Sequence, residues 1–360
     1  MADPAEVTSS PKECCDSPAM ATECKNKIEE EKKKEESSTT LPPCSVEAVA
    51  AFARTDDAYW ASRWNALKHL VVFVLLGPWR FLGVVLVLSV YALGLRIFAL
   101  VHRCALGDVE LQGGLARRWF LLGKPLALLI LRLFGLRVTR RGDDAFAAPA
   151  GTTAPPRFVV ANHVSMLDIF ALYGAGVPGA IPSFVSKAGI LDAPLVGTLL
   201  RACRGVPVYR SSAAGCGTTH VLAERAASAA EPPVAIFPEG TTTNGSCLGL
   251  FHAGAFAAGA PVKPVCLRYS SPGFNPAYDV TGPFVWGYGI LGATGISLEI
   301  THLPVYVPSD AERRDARLYA NNVRALIARE LGLPTHDVTF RDKLAYMVQH
   351  MGYKMKEHED

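Results

Sequence analysis

The residues best suited to acid–base chemistry follow the apolar run 158–161, in the segment Asn162-His163-Val164-Ser165-Met166-Leu167-Asp168. His163 and Asp168 are five positions apart, about 140° around a regular helix, so the two side chains cannot share one helical face. They can meet when His163 lies in the turn before a helix and Asp168 lies in its first turn. Asp168 would then accept a hydrogen bond from one imidazole nitrogen and leave the other as a general base. Ser165 and Asp168 also fit a helix capping box, and the two interpretations are compatible.

A second polar cluster follows the apolar run 234–237 and begins with Pro238-Glu239-Gly240-Thr241. The amides and hydroxyls of such a Gly- and Thr-rich loop can hold a phosphate or an oxyanion. The alternative is an ordinary Glu-Gly turn. Two cations also stand near strand-like runs: Arg210 directly follows one, and Lys263 lies between two prolines. Each is a candidate partner for a polar headgroup, and each is equally typical of a surface charge.

These clusters need a framework that brings distant loops together. Short β-rich runs predict strands at 158–161, 183–186, 206–209, 234–237, 262–269 and 296–300. Helical stretches lie between several of them, notably 220–230 and 310–331. Apolar strands alternating with helices predict an α/β fold with a mixed, largely parallel sheet flanked by helices. The loops at the strand ends are then the expected places for chemistry.

The composition excludes several classes of function. The chain has 360 residues, of which 50% are hydrophobic and only 19% are charged, which indicates a membrane-associated protein rather than a wholly soluble one. A formal net charge of +3 gives no dense basic surface for nucleic acid. The nine cysteines show no CxxC or Cys/His spacing, so we expect reduced thiols and no metal site.

The distribution of charge and hydrophobicity divides the chain. The predicted segments are a disordered charged tail (1–45), membrane-anchoring helices (60–135), a catalytic domain (136–335) and a C-terminal helical tail (336–360). The apolar stretch 70–101 is interrupted at Gly77-Pro78-Trp79-Arg80, where Trp79 and Arg80 suit a membrane interface. Two interpretations fit this stretch: a helix spanning the membrane over about 81–101, or a hairpin that enters one leaflet and turns at the interruption. A buried core helix is the alternative to both.

Four blocks in order resemble those of the glycerolipid acyltransferase family, which includes the lysophosphatidate acyltransferases. They are Asn162-His163 with Asp168, then 205–210, then Phe237-Pro238-Glu239-Gly240-Thr241, and finally 261–265. The resemblance covers roughly residues 115–335. It implies that the domain at 136–335 is an acyltransferase domain, which transfers an acyl group from acyl-CoA to an oxygen, with an active site that faces the bilayer.

Details of the blocks indicate the acceptor. Many lysophosphatidate enzymes carry Arg at the position of Thr242, where it is thought to help bind the phosphate monoester. The continuation through 251–256 and the stretch 319–324 look more like acyltransferases of lysophosphatidylcholine and lysophosphatidylethanolamine. Lysophosphatidate stays the alternative acceptor. An alternative of another class is a non-catalytic lipid-binding membrane protein, against which the His163/Asp168 pair argues.

The resemblance also implies a role for each residue. His163 is the expected base for the lipid hydroxyl and Asp168 its orienting partner, while backbone amides nearby are expected to stabilise the oxyanion. The expected substrate-binding residues are Asn162, Arg210, Glu239, Gly240, Thr241 and Lys263. Acyl-CoA is a co-substrate, and no cofactor or metal is expected. The other expected partners are a lysophospholipid and the membrane, with no nucleic acid and no inferable protein partner. The resemblance places the protein in the endoplasmic reticulum with a cytosol-facing site.

Overall fold

The computed structural model describes residues 41, 43–104, 114–142, 146, 155–177, 181–208, 212–228, 231–278 and 280–353. Most of the predicted tail at 1–45 lies outside these residues, as does Arg210. The strands are β1 (Leu136–Gly142), β2 (Phe158–Ala161), β3 (Ser183–Lys187), β4 (Val206–Val208), β5 (Val234–Ile236), β6 (Val262–Ser270) and β7 (Ile296–His302). The helices are α1 (Val46–Phe52), α2 (Asp57–Ala61), α3 (Arg63–Val101), α4 (Gly114–Leu133), α5 (Asp168–Ala171), α6 (Val196–Ala202), α7 (Ser212–Ala227), α8 (Pro283–Gly292), α9 (Asp310–Arg314), α10 (Ala316–Leu331) and α11 (Phe340–Met351).

The strands form a sheet in the order β1-β7-β6-β2-β5-β3-β4, in which each neighbouring pair is parallel except β6 and β7. This confirms the predicted mixed, largely parallel sheet. The central strand β2 is buried on both faces: Val159 and Ala161 lie in one apolar cluster, Phe158 and Val160 in another. Because β2, β5 and β6 are parallel neighbours, their carboxyl ends meet at one edge of the sheet. Both predicted polar clusters follow strands that end there.

Helix α10 covers one face of the sheet. Its buried residues Tyr319, Val323 and Ile327 recur at a helical spacing and belong to an apolar cluster with β2. The sequence predicts one helix over 310–331, but the structure has two. Asp315 leaves the helical conformation, and its carboxylate caps the amino end of α10 by accepting from two backbone amides.

Strand β1 is not among the predicted strands. Of its residues, only Leu136 is buried, and the remainder of the strand is largely exposed and basic. The strand is held by its backbone ladder to β7 and by an ion pair between Arg141 and Glu299 at 3.0 Å. An edge strand with one neighbour does not need two apolar faces, so the hydrophobic pattern does not reveal it.

Helix α3 is continuous over 39 residues, and among the described helices it is the one long and apolar enough to cross a membrane. The chain stays helical through Pro78, so the alternative of a hairpin turning at 78–80 is wrong. Arg80, which the sequence suggests for a membrane interface, instead donates to two carbonyls at the C-terminus of α8, both at 2.7 Å. Arg96 donates to Thr198 of α6 at 2.8 Å. Both arginines therefore fasten α3 to the domain.

Candidate active site

His163 and Asp168 form a hydrogen-bonded pair in the turn between β2 and α5. The distance between His163 Nδ1 and Asp168 Oδ2 is 2.9 Å. Asp168 is fully buried, whereas the His163 side chain is 20% exposed. The Phe237 ring stacks on the imidazole at a centroid distance of 4.1 Å and an interplanar angle of 12°. Since a carboxylate accepts, neutral His163 donates from Nδ1 and carries its lone pair on Nε2, the arrangement of an oriented general base.

The Asp168 carboxylate is held by four donors. Besides His163, the backbone amides of Val164 and Ser165 donate to Oδ2 at 2.7 and 2.9 Å, and the Tyr269 hydroxyl donates to Oδ1 at 2.6 Å. The bond from the Ser165 amide to Asp168 is one half of the predicted capping box. The other half does not form, because α5 begins at Asp168 with Leu167 as its N-cap and has no side-chain cap hydrogen bond. Burial raises the pKa of Tyr269 well above its usual value, which keeps its hydroxyl a donor. Tyr269 is 101 residues away in sequence, and no local spacing identifies it.

Glu239 lies behind the same turn. Its carboxylate is 1% exposed and accepts from the backbone amides of His163 at 2.7 Å and Gly249 at 2.8 Å. Burial raises the pKa of this carboxyl to about 7, opposed by the two amide hydrogen bonds. With both oxygens committed to backbone amides, the geometry favours a positioning role over direct contact with a substrate. Its predicted part in binding the acceptor stays a prediction.

Asn162 and Lys263 are both buried within the sheet. The Asn162 side-chain amide donates to the Leu267 carbonyl at 2.9 Å, and its oxygen accepts from the Leu267 amide at 2.8 Å. Because Ala161 and Val265 form the last backbone pair of β2 and β6, the Asn162 side chain extends this ladder while the main chain turns away. Lys263 is 0% exposed within β6. Substrate contact by either side chain stays a prediction, and the geometry gives Asn162 a supporting role.

The Gly240 loop runs beside the turn. Gly240 has a φ of +65°, which favours glycine, and a Cβ there would lie 3.1 Å from the His252 ring. Thr241 is largely buried. Two residues further, the Thr243 amide donates to the His163 carbonyl at 3.1 Å. Gly240 thus permits the turn that brings Thr243 to His163, and Arg210, the remaining predicted binding residue, lies outside the described residues.

The backbone groups of residues 163–165 in the His163 turn are all paired. The Tyr278 amide donates to the Val164 carbonyl at 2.8 Å, and the Asp168 amide donates to the Ser165 carbonyl at 3.1 Å. With the bonds above, each amide and carbonyl of His163, Val164 and Ser165 has a partner. Such complete pairing holds the imidazole rigidly. It also means that these three amides are not available to an oxyanion, so its donors must come from other groups.

No group of three or more His, Cys, Asp or Glu side chains that could hold a metal ion occurs in the part of the chain that the structure describes. The described site consists of the His163–Asp168 pair and of the backbone groups and buried side chains that support it. The sequence patterns do not reveal Tyr269, Thr243 and Tyr278, which bind the turn from distant segments, or Gly249, which binds Glu239.

Comparison with known proteins identifies the family to which the chain is similar. A family model described as Acyltransferase matches residues 137–268. Lysophospholipid acyltransferase LPEAT1 of Arabidopsis thaliana is 33% identical over 320 residues, which cover 78% of this chain and 79% of that protein. The lysophosphatidylcholine acyltransferase of Drosophila melanogaster is 38% identical over 57% of this chain. Human lysophosphatidylcholine acyltransferase 2 is 39% identical over 52% of it. The matches span only 38% of the Drosophila protein and 34% of the human one.

The fold has a solved counterpart. The crystal structure of the 1-acyl-sn-glycerophosphate (LPA) acyltransferase PlsC from Thermotoga maritima aligns with a TM-score of 0.50 at 19% identity. The alignment covers 73% of this chain and 98% of that chain. At this identity the likeness concerns the fold alone.

Proposed function

Because the chain belongs to the glycerolipid acyltransferase family, we propose that it transfers an acyl group from acyl-CoA to the free hydroxyl of a lysophospholipid. The observation that carries this proposal is the 2.9 Å hydrogen bond between His163 and a fully buried Asp168, in a turn whose backbone groups at 163–165 are all paired. A base and its orienting carboxylate serve proton transfer, which binding alone would not require. The chain itself is an acyltransferase by its family, and the acyl donor, the acceptor and the residue roles are what we propose.

The proposed reaction needs one proton carrier. Nε2 of His163 takes the proton of the lipid hydroxyl as its oxygen attacks the thioester carbonyl, forming the C–O bond of a tetrahedral intermediate. Asp168 stabilises the imidazolium that results. The intermediate then collapses, the C–S bond breaks, and CoA leaves as a thiolate that takes the proton from the imidazolium. The free base is thereby restored, and the products are a diacyl phospholipid and CoA.

For the acceptor we propose lysophosphatidylcholine or lysophosphatidylethanolamine. The names of the relatives support this choice, since the Drosophila and human proteins are lysophosphatidylcholine acyltransferases and the Arabidopsis protein is a lysophospholipid acyltransferase. The residue after Thr241 supports it as well. Thr242 is 7% exposed, and its hydroxyl donates inward to the Tyr278 carbonyl, so this position offers no arginine to a phosphate monoester.

We also propose that α3 lies along the membrane surface rather than across it. Its length of 39 residues corresponds to about 58 Å, nearly twice the hydrocarbon core of about 30 Å. One side of α3 packs on the domain from His69, against Tyr288 of α8, to Arg96, which binds Thr198 of α6. Upright insertion would carry the domain into hydrocarbon. The other side exposes apolar side chains every three to four residues, at Val71, Leu75, Trp79, Leu82, Leu86, Val90, Leu93, Ile97 and Leu100. An endoplasmic reticulum location with a cytosol-facing site is part of the same proposal.

The deciding experiment is an acceptor panel. Membranes containing the full chain receive labelled oleoyl-CoA together with lysophosphatidylcholine, lysophosphatidylethanolamine or lysophosphatidate, each offered separately, and the labelled diacyl product is measured. Membranes with the His163→Ala variant serve as the background control. We expect transfer to one or both of the first two acceptors. A strong preference for lysophosphatidate would overturn the choice of acceptor, and no His163-dependent transfer to any of the three would overturn the proposed function.

A further inference from the structure

A buried lysine from the last described helix reaches the loop that follows Glu239. Lys343 of α11 is 6% exposed. Its Nζ donates to the Thr242 carbonyl at 2.9 Å, to the Thr242 hydroxyl at 2.8 Å and to the Tyr278 carbonyl at 3.4 Å. The ammonium also lies 5.8 Å from the centre of the Phe52 ring of α1. Helix α11 lies beyond residues 137–268, which the family model matches.

Both residues that Lys343 binds adjoin the catalytic turn. The Thr242 carbonyl and the Thr243 amide belong to one peptide unit, and that amide donates to the His163 carbonyl at 3.1 Å. The Tyr278 amide donates to the carbonyl of the next residue, Val164, at 2.8 Å. A cation bound to a peptide carbonyl polarises the unit and strengthens its amide as a donor. One ammonium thus ties together the two segments that hold the carbonyls of the turn.

We propose that Lys343 is a positioning residue for the His163–Asp168 pair, acting through the Thr242–Thr243 peptide and Tyr278. This inference rests on the proposed function, since it assigns Lys343 to the support of the same base. The three backbone donors of the turn are met by carboxylates, Glu239 for one and Asp168 for two. Two of its acceptors are met by amides whose own segments Lys343 joins. The carboxylates therefore hold the backbone amides of the turn, and the ammonium holds together the segments that pair with two of its backbone carbonyls.

The test compares three variants of the full chain in lipid vesicles. Lys343→Met keeps the length of the side chain and removes its charge and donors, while Lys343→Arg keeps the charge. Arg341→Met removes a cation from an exposed position of the same helix and is the control. For each variant, kcat and KM for acyl-CoA and for the lysophospholipid are measured from about pH 5 to 8, the range in which histidine changes its charge. The thermal unfolding midpoint is measured as well.

We expect Lys343→Met to lower kcat by about tenfold to hundredfold with little change in either KM, because a misplaced base slows proton transfer more than binding. A looser turn weakens the bond from His163 to Asp168 and should move the acidic limb of the kcat profile to lower pH. Loss of the ammonium charge with an unchanged turn would instead move it to higher pH and would count against the positioning role. Lys343→Arg should recover part of kcat, and Arg341→Met should behave as the unaltered chain. A folded Lys343→Met protein with unchanged kcat and pH profile would overturn the inference.

Two further measurements keep the inference testable. If Lys343→Met does not fold, Thr242→Val, which removes one acceptor of the ammonium, is judged by the same kcat and pH criteria. If the unaltered chain acylates none of the acceptors, the proposed function fails by itself, and Lys343 is tested by the reaction of His163 with diethyl pyrocarbonate, followed by mass spectrometry. A faster reaction of His163 in Lys343→Met supports the positioning role, and an equal rate rejects it.

Discussion

Two turns at the same edge of the sheet use an ionisable residue in opposite ways. One follows β2 and carries His163; the other follows the neighbouring strand β5 and carries Glu239. The His163 side chain is 20% exposed and uses Nδ1 for its bond to Asp168. Glu239 is 1% exposed and has both oxygens bound to backbone amides. The first turn offers a group to a substrate, and the second supports the first.

The difference shows that conspicuous polar residues near one another in a fold can have different roles, some contacting substrate and others supporting those that do. A general base that touches a reacting atom needs exposure and a free lone pair, whereas a residue that supports it is buried with its polar atoms hydrogen-bonded. By these criteria His163 belongs to the first class, and Asp168, Asn162 and Glu239 to the second. Replacing these residues one at a time tests this division, and the expected loss of activity decreases from His163 through Asp168 to Glu239.

Replacing His163 by alanine should have the largest effect. Removal of the base is expected to lower kcat by about 10³-fold or more, in the upper range of what a positioned base contributes. Membrane association, measured by flotation with vesicles, should persist because α3 is untouched. The thermal unfolding midpoint is the control for folding. Near-normal activity of the purified variant would contradict the assignment of the base.

Asp168→Asn should come next. The amide oxygen can still accept from the turn, so the fold is expected to persist, but the negative charge that stabilises imidazolium is lost. We expect kcat to fall by about 10²- to 10³-fold, with the acidic limb of the pH profile moved to lower pH. Tyr269→Phe, which removes one of four donors to Asp168, is the matched control and should cost far less. Equal losses in the two variants would show that the charge is not what matters.

Glu239→Gln should have a smaller effect on activity and a distinct effect on stability. Glutamine has one acceptor oxygen, so the amide of His163 or of Gly249 must face an NH₂ group, at a cost of about 1–3 kcal/mol in the free energy of unfolding. The turn is displaced rather than destroyed, and we expect kcat to fall by about tenfold. A loss as large as that of His163→Ala would instead indicate that Glu239 touches the reacting atoms.

The same carboxyl predicts a dependence of stability on pH. Burial raises the pKa of Glu239 to about 7 from an ordinary 4.5, so the folded state binds this proton more tightly than the unfolded state. The resulting contribution to stability is complete below pH 4.5, decreases as pH rises to about 7, and is constant above that. The unfolding midpoint of the unaltered chain minus that of Glu239→Gln, whose side chain does not titrate, should therefore decrease over this interval. A difference that is flat or grows with pH would refute the assignment.

Much of the framework was predictable from local pattern. The apolar run at 158–161 is a strand with these bounds, and the strands at 183, 206, 234, 262 and 296 begin where predicted. Strand β1 was not predictable in this way, because its support comes from the β7 backbone rather than from its own apolar residues. Similarly, the long apolar stretch indicated a helix, but only the structure shows that it continues through Pro78 and that Arg80 binds a carbonyl of α8.

The sequence by itself determined the fold class, the family and the two residues that make the acid–base pair, because hydrophobic periodicity and short motifs are local properties. Only the tertiary structure decided which polar atoms of each motif residue are hydrogen-bonded within the protein and which are open to a substrate. Asn162 pairs with Leu267, Asp168 with Tyr269, and Lys343 with Thr242, each across about a hundred residues. Such partners meet because the strand order of the sheet and the packing of α11 bring distant segments to one edge of the sheet, where burial requires polar groups to be paired. No short sequence motif reveals which distant residue will supply each of these partners.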